Sequence, residues 1–366
     1  MKTCLSALEI HYLIKELQFL INAKIDKIYH PSKKELILQF HVPNKGRQQL
    51  KINEKVIYLT SHKFPAETPS DFCMFLRKKL TNARLRKIRQ LEFERIIEFE
   101  FEAKDGKYSL FFELFSKGNI ILTKNNKILT AAEYQKWKDR IIKPKQDYSY
   151  PRKEYNLLKL NQSNIKDLLT KTNKESIVKC LAIDLGLGGI YAEEVCLLAN
   201  LDKNKKPSKI DQKKLFKTLK QLKNKKLDPR IIYKKKEIQD IVQFELKYYK
   251  NLKQKRTPSF NQALDSYFSK EIEITKKAEF EKKLEKIRNI IKKQESQIKE
   301  LERSEKENKQ KAELLYQNYK LINNLLTELK EISKKHNWKE IKEKLKGHKI
   351  IKQVIPSEKS IIIELK

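Results

Sequence analysis

The sequence predicts a multidomain α+β protein with a mainly β amino-terminal domain, a helical segment and a long coiled coil. Three observations support this order. Short apolar runs with alternating character fill residues 1–150, three of the seven glycines gather in one turn between helical patterns, and a heptad pattern occupies the carboxy-terminal part. The predicted segments are 1–150, 151–258, 259–346 and 347–366.

The first predicted element is a helix that begins just after Ser6. Ser6 and Glu9 have the spacing of a capping box, in which the serine caps the helix and the glutamate reaches back to the Ser6 amide. Apolar residues then recur on one helical face, as an amphipathic helix requires: Ile10, Leu13, Ile14, Leu17, Leu20 and Ile21.

Strands are predicted to follow this helix. Glu35–Val42 and Phe93–Phe101 alternate apolar with more polar residues, which is the pattern of a half-buried strand. A short helix near Asp71–Leu80 interrupts the strands, and a turn at Ser116–Asn119 separates two more. Consecutive short strands with turns between them favour a sandwich or a barrel-like sheet.

The densest basic cluster of the first segment is predicted to lie on the short helix and on the strand after it. Such a cluster can hold RNA phosphates by charge, although a solvated rim is the alternative for any single lysine. Phe72, Met74, Phe75 and Leu76 are expected to be core residues rather than a base-stacking platform, and Cys73 to be buried. The basic residues are Arg77, Lys78, Lys79, Arg84, Arg86, Lys87 and Arg89.

The glycine turn lies between two predicted helices and resembles a helix-hairpin-helix turn. Gly186 and Gly188 are candidate phosphate contacts, because glycines let backbone amides and a helix N-terminus approach an anion. A packing turn is the alternative, since Glu193 and Glu194 just inside the second helix would repel an anion. Residues 206–258 are lysine-rich and are expected to add connecting helices.

The heptad seam has no partner within this sequence. From Phe280 onwards apolar residues recur at alternating steps of four and three, and one helix cannot bury such a stripe by itself. A β-type segment follows Gly347 and the sequence stops within it, so we expect the front part of a larger protein. The seam residues expected to contact a partner are Ile298, Leu301, Leu315, Ile322 and Leu329.

The chain is strongly basic, with 82 Lys and Arg residues against 47 Asp and Glu residues and a net charge of +35. This excess points first to a nucleic acid, although an AT-rich genome or a thermophile gives a similar bias. The four scattered cysteines exclude a conventional zinc ribbon and a disulfide framework, which predicts a reducing cytoplasm. With no signal peptide, long apolar run, P-loop, metal cluster or nucleophile–base pair, the sequence predicts no membrane association, no cofactor and no enzyme.

Four stretches, taken together and in this order, resemble the NFACT family of ribosome-associated quality-control factors, whose bacterial members were once labelled fibronectin-binding proteins. They are Ser6–Glu9, Pro69–Leu80, Glu113–Leu122 and Ser259–Phe268. The resemblance covers essentially the whole chain. It implies an NFACT amino-terminal domain related in fold to the front domain of a class of DNA glycosylases, then a helix-hairpin-helix domain and a long antiparallel coil with a middle domain at its tip.

The resemblance also implies a function. Family members bind a large ribosomal subunit blocked by peptidyl-tRNA and bring in tRNA, so that the stalled chain grows by untemplated residues, usually alanine from tRNA-Ala. The ribosome forms the bonds, so the resemblance implies a positioning factor in the cytoplasm and not an enzyme. It further implies a carboxy-terminal half that completes the coil, either removed by truncation or supplied as a separate polypeptide.

The tailing activity of the family depends on an acidic residue in the first helix and on an Asp-Arg pair at the start of a strand. The matching positions are Glu9 and Glu94–Arg95, with glutamate at both acidic positions. A purely structural role is the alternative for each, as capping-box glutamate or as strand ion pair. The alternation places Arg95 on the same face as Phe93 and Ile97, an unusual place for an unpaired guanidinium, and arginine suits bidentate recognition. We therefore predict tRNA contact by Arg95, with Glu94 orienting it or accepting from a base amine.

Two other classes stay open. A glycosylase-like DNA-binding enzyme would carry a proline and an acid directly after Met1, whereas this chain has Lys2 and Thr3. A structural or adhesive coiled-coil protein fits the heptads, but the basic surface and the missing signal peptide argue against it. Activity on damaged duplex DNA and sedimentation with ribosomal subunits would separate the three classes.

Overall fold

The structure is a computed structural model that describes residues 2–62, 68–151, 153–235 and 237–365, without the side chains of residues 271–279. The chain divides into two compact units, Met1–Ile274 and Thr275–Lys366. The first unit holds a large antiparallel sheet, several helices and a small second sheet. The second unit holds most of a long helix, two shorter helices and a β-hairpin.

A large antiparallel sheet dominates the first unit. Its strands are β1 (Lys24–Ser32), β2 (Glu35–Val42), β3 (Gly46–Ile52), β4 (Ile57–Thr60), β5 (Arg84–Gln90), β6 (Ile96–Ala103), β7 (Gly106–Glu113), β8 (Asn119–Lys124) and β9 (Lys127–Ala131). Within the described residues the order is β4-β3-β2-β1-β5-β6-β7-β8-β9, which has two ends and does not close as a barrel would. Phe40 of β2 and Phe101 of β6 stack at 6.5 Å, so the two halves of the sheet share one core.

Both faces of the sheet carry buried apolar residues. On β6, Ile97 and Phe99 belong to the central core, whereas Ile96 belongs to a smaller core that also contains Ile142 and Tyr148. The predicted half-buried alternation therefore understates the burial of β6, because Ile96 and the ion-paired Glu98 are buried on its second face.

Two helices pack against the central core of the sheet. They are α1 (Ala7–Leu17), which has the predicted capping box, and α2 (Asp71–Leu80), which has the predicted bounds. Cys73 and Leu76 are buried as predicted. The predicted core position of Met74 is wrong, because this side chain lies on the solvent side of α2 and is exposed.

The chain after β9 forms a short hairpin, β10 (Gln135–Lys136) and β11 (Ile141–Ile142), and then becomes helical. A π-helical turn, Cys180–Asp184, precedes the glycine turn. The turn between helices is therefore present, and its helix-hairpin-helix type stays a prediction. The helices are α3 (Gln162–Lys171), α4 (Ile177–Lys179), α5 (Gly189–Leu198) and α6 (Gln212–Lys223).

A three-stranded antiparallel sheet occupies part of the described chain where connecting helices were predicted. Its strands are β12 (Arg230–Lys234), β13 (Glu237–Val242) and β14 (Lys253–Arg256), in the order β13-β12-β14. Ile231 belongs to the core of the large sheet, and its neighbour Ile232 belongs to the core of the helical segment. A strand between two cores needs adjacent apolar residues, which gave no alternating signal.

The long helix α7 (Phe260–Gln317) begins inside the first unit. The Glu16 carboxylate of α1 accepts hydrogen bonds from the amides of Phe260 and Asn261, both at 2.8 Å, and so caps the new helix. The first turns of α7 then contribute buried apolar side chains to the core of the large sheet: Phe260, Ala263, Leu264, Tyr267 and Phe268.

In the second unit the helical path is interrupted twice, after Gln317 and after Lys335, whereas the sequence predicted one helix to residue 346. The elements are α8 (Tyr319–Lys335), α9 (Trp338–Lys344) and a hairpin of β15 (Ile351–Ile355) and β16 (Ser360–Ile363). The hairpin agrees with the β-type segment predicted after Gly347. None of the helices in the described ranges is both long and apolar enough to cross a membrane.

Most of the predicted seam is exposed in the described chain. Ile298, Leu301 and Leu315 are exposed and Ile322 is half-buried. Leu329 differs, because it is buried within the second unit, where α9 packs against α8. Leu329 is therefore already covered within its own unit. Contact of the five seam residues with a partner stays a prediction.

Candidate nucleic-acid interface

Glu94 and Arg95 lie in a turn that precedes a strand. The predicted strand Phe93–Phe101 is wrong at its start, since β6 begins only at Ile96. Leu91 closes the turn: its amide donates to the Ile96 carbonyl at 3.0 Å, and its carbonyl accepts from the Glu94 amide at 3.1 Å. The apolar–polar alternation of the sequence extends into this turn because Phe93 is apolar. Phe93 is buried in the core of the helical segment and is not part of a strand.

Two side chains fix this turn to the rest of the first unit. Phe93 is buried in the core that also contains Leu8 and Tyr12 of α1. The Gln90 amide nitrogen donates to the Ala7 carbonyl at 2.9 Å and to the Glu94 carbonyl at 2.8 Å. The backbone that carries Glu94 and Arg95 is therefore held against the start of α1, as a preorganised binding site requires.

The guanidinium of Arg95 has no hydrogen bond or ion pair with any residue that the structure describes, while its backbone carbonyl accepts from the Leu114 amide at 2.8 Å. The Glu94 carboxylate lies 3.6 Å from the Lys153 ammonium. Burial raises the pKa of Glu94 above its usual value, and the charges of Lys153 and Arg95 oppose that shift. A half-buried arginine with five unused donors is able to take a phosphate or a base edge.

Glu9 is 1% exposed and is surrounded by protein groups. Its carboxylate forms an ion pair with Lys2 and accepts hydrogen bonds from the Ser6 amide at 2.8 Å and from the Tyr191 hydroxyl at 2.7 Å. The capping box is thus one part of a larger arrangement. In this conformation the Glu9 carboxylate is not available to RNA.

The arrangement around Glu9 extends to the three-stranded sheet. Lys2 forms a second ion pair with Asp240 of β13 at 3.1 Å, and Asp240 accepts from the Tyr249 hydroxyl at 2.7 Å. Burial alone would lower the pKa of Lys2, but the two carboxylates outweigh it and raise that pKa. Burial and the same carboxylates raise the pKa of Tyr191 well above its usual value. Lys2 is therefore charged and Tyr191 neutral at physiological pH.

This buried network was missed from the sequence. It joins residues from three distant segments, so no local spacing in the sequence predicts it. Only the tertiary structure brings Lys2, Glu9, Tyr191 and Asp240 together. It fastens α1, α5 and β13 to one another beside the Arg95 turn.

The predicted basic cluster does lie on α2 and the following strand β5, but its members differ in availability. Lys79, Arg86 and Arg89 form ion pairs with Asp105, Glu102 and Glu98. Arg77 and Arg84 donate to the backbone carbonyls of Ile28 and Asn22. Lys78 and Lys87 are exposed and have no acidic partner among the described residues. These two lysines are the best placed of the cluster to hold an incoming phosphate.

The glycine turn is less open than predicted. Gly186 and Gly188 have φ of +75° and +80°, which glycine adopts without steric cost. The Gly188 amide already donates to the Ala182 carbonyl at 3.1 Å. Glu194, expected to repel an anion, is fully buried and accepts from the amides of Lys247 and Tyr248. Phosphate contact at Gly186 and Gly188 stays a prediction.

No group of three or more His, Cys, Asp or Glu side chains is placed to hold a metal ion in the part of the chain that the structure describes. The Arg95 turn and the exposed lysines of α2 and β5 are therefore the candidate polar groups for recognition. Both offer hydrogen-bond donors and positive charge, which suits an anionic partner.

Over most of this chain the fold resembles that of two solved structures. The amino-terminal part of the fibronectin/fibrinogen-binding protein from Streptococcus suis superposes with a TM-score of 0.59 at 24% identity and covers 72% of this chain and 99% of that chain. A fibrinogen-binding protein from Staphylococcus aureus superposes with a TM-score of 0.58 at 18% identity. Likeness at this level of identity shows the fold alone. In sequence, residues 6–361 match the family described as NFACT N-terminal and middle domains, so the chain belongs to the NFACT family.

Two curated relatives are similar over most of this chain. The archaeal Rqc2 homolog aRqcH of Methanocaldococcus jannaschii is 34% identical over 100% of this chain, and human ribosome quality control complex subunit NEMF is 24% identical over 93%. The chain spans 59% of aRqcH and 35% of NEMF.

Proposed function

We propose that this chain acts in ribosome-associated quality control, as the front part of a factor that binds the large ribosomal subunit carrying stalled peptidyl-tRNA. Its role there is to recruit tRNA, of the tRNA-Ala type, for untemplated carboxy-terminal tailing of the nascent chain. Family membership and relatives named as ribosome quality control subunits support the setting. The site supports the mode of action.

The single observation that carries the proposal is the guanidinium of Arg95, which is unpaired among the described residues and lies on a fixed backbone. This guanidinium makes no hydrogen bond or ion pair with the described residues, yet the backbone that carries it is fixed by Phe93 and Gln90 before it and by the hydrogen bond from the Leu114 amide. A charged group held in place without an internal partner suits an external anion or a base edge. Glu94, held near Lys153, completes a donor–acceptor pair.

The basic surface supplies the sequence-independent part of the binding. The net charge of +35 favours association with any RNA, because phosphate neutralisation releases counterions. Lys78 and Lys87 extend positive charge over α2 and β5, in the same unit as Arg95. The chain in this proposal is a cytoplasmic, cofactor-free positioning factor, and the ribosome forms the peptide bonds.

Salt dependence tests the proposal. The complete protein, with its carboxy-terminal half, is expected to sediment with large subunits carrying peptidyl-tRNA and to leave them steeply as salt rises, since each phosphate contact adds to the salt slope. The measurement is a sucrose gradient at two or more ionic strengths, with empty small subunits as the control. Absence of the protein from both the large-subunit and the tRNA fractions at low salt would refute the proposal.

We also propose that the exposed part of the seam pairs with the carboxy-terminal half of the factor. Ile298→Asp together with Leu315→Asp is expected to prevent that association, because a carboxylate buried in a coiled-coil seam is left unpaired. The measurement is co-purification of the two halves, expressed as separate polypeptides. Circular dichroism should show that the folding of residues 1–274 is unchanged. Lys292→Asp and Lys309→Asp, on exposed positions outside the seam, are the control. Normal pairing by the seam variant would mean that the seam is covered in another way.

A further inference from the structure

An exposed aromatic hairpin lies in the first unit and has no role in the function proposed above. The two strands β10 and β11 flank a tight turn in which the Trp137 amide donates to the Arg140 carbonyl at 2.9 Å. Trp137 is 40% exposed and the preceding Tyr134 is 60% exposed. Large aromatic side chains at this exposure, close together on a hairpin, are typical of a binding surface.

The Trp137 ring packs against an arginine that belongs to a buried ion pair. The Arg140 guanidinium lies 4.4 Å from the centre of the Trp137 ring. Arg140 in turn makes two hydrogen bonds of 2.7 Å to the Glu113 carboxylate, which also accepts from the Tyr148 hydroxyl at 3.0 Å. The guanidinium is therefore fixed, so the ring stacked on it has a preferred orientation before any ligand arrives.

The hairpin is a neighbour of the Arg95 turn. Glu113, which anchors Arg140, pairs with Ile96 in the register of β6 and β7, and the amide of the next residue, Leu114, donates to the Arg95 carbonyl. Only one strand position thus separates the backbone of Arg95 from the residue that holds Arg140. The two features are therefore close along the backbone of the sheet.

Charge decides which class of partner fits this surface. The hairpin and its flank present Asp139 and Asp147 as exposed acids, and Asp147 is paired with Lys127 at 3.3 Å. An excess of exposed cations beside an oriented aromatic ring is the combination that holds unpaired nucleotides, by backbone charge and base stacking together. The exposed lysines are Lys136, Lys138, Lys143 and Lys145.

We propose that Trp137, oriented by the Arg140–Glu113 ion pair and flanked by lysines, is a stacking platform for an unpaired RNA base. This inference rests on the proposed function, because it adds a second RNA contact in the same unit as Arg95. Arg95 takes a phosphate or a base edge, and Trp137 takes the face of a neighbouring unstacked base. Duplex RNA offers no free base face, so this contact selects loops and single strands.

Tryptophan fluorescence tests the proposal directly. The chain has two tryptophans, so Trp338→Phe leaves Trp137 as the only emitter. In this 366-residue chain carrying Trp338→Phe, an RNA stem-loop with a seven-base loop (about the size of a tRNA loop) is expected to quench the Trp137 emission at low salt, and a blunt duplex of the same length is not. Binding of both RNAs is followed in parallel by the anisotropy of a dye on the RNA.

Affinity gives a second readout. Trp137→Ala is expected to weaken stem-loop binding about tenfold with little change for the duplex, and Trp137→Phe to retain most of the affinity, since stacking needs only an aromatic face. Tyr248→Ala is the matched control, because Tyr248 is 42% exposed elsewhere in the same unit. Circular dichroism confirms that each variant is folded.

The possible failures are distinguishable. Stem-loop binding with unchanged Trp137 emission and an unchanged affinity of Trp137→Ala would overturn the stacking proposal and leave the function proposed above intact. Equal quenching by loop and duplex would also overturn it. If neither RNA binds at low salt, both proposals fail. Quenching by the loop alone, with the affinity loss, supports the platform.

Discussion

Arg95→Ala, alone or with Glu94→Ala, is expected to abolish tRNA recruitment by the completed protein while its binding to the large subunit stays largely intact. A hydrogen bond to a charged group contributes about 1.5–3 kcal/mol, which corresponds to roughly a ten- to hundredfold loss of affinity for the tRNA. The loss should be selective because Phe93 and Gln90 hold the turn without the guanidinium. Arg95→Lys should lie between, since lysine keeps the charge and loses the planar fork.

The measurement is the amount of tRNA that co-purifies with large-subunit complexes of each variant. Arg47→Ala is a suitable control, because Arg47 is an exposed arginine of the same large sheet that is paired with Asp26 at 3.2 Å. Removing it changes the net charge by the same amount as Arg95→Ala. Unchanged tRNA in the Arg95 variants would refute the assignment, and an equal loss in the Arg47 variant would reduce it to a charge effect.

Glu9→Ala is expected to lower the free energy of unfolding of the first unit by about 3–5 kcal/mol, because it removes one partner of a buried ion pair. Lys2 would keep only Asp240, and the Tyr191 hydroxyl would lose its carboxylate acceptor. Tyr191→Phe should cost about 1 kcal/mol, the net worth of one hydrogen bond. Urea unfolding followed by circular dichroism measures both changes.

This experiment separates the two roles considered for Glu9. A structural role predicts that tRNA recruitment by Glu9→Ala falls only in proportion to the fraction of protein that is unfolded. It also predicts that Glu9→Gln, which still accepts a hydrogen bond from Tyr191, is intermediate in stability and in tRNA recruitment. A direct contact predicts normal unfolding with tRNA recruitment lost. The second result would mean that Glu9 leaves its partners when RNA binds. The burial of Glu9 favours the first.

Local patterns predicted the elements whose apolar residues recur at a regular helical or alternating spacing. The capping box of α1, the bounds of β2 and α2 and the β-type segment after Gly347 follow from residue spacing within a few positions. The spacing stays visible even in α1, which contributes apolar residues to two cores. The family resemblance, shown by the match over residues 6–361, rests on the same short stretches.

The remaining features depend on contacts between distant segments. Phe93 reads as the start of a strand because it is apolar, but it is buried in the helical core and the strand begins later. The strand β12 was missed because Ile231 and Ile232 serve two cores. The partners of Glu9 come from α5 and from residues near the amino terminus, and no spacing along the chain relates them.

The way α7 begins has a practical consequence for dissecting the protein. A fragment cut at the predicted boundary after residue 258 would lack the helix start that Glu16 caps and five side chains of the central core. Each large apolar side chain contributes about 1.5–3 kcal/mol when buried, so the deficit would rival the whole stability of a domain, about 5–15 kcal/mol. Expression of the globular part in isolation therefore calls for a terminus beyond Ile274.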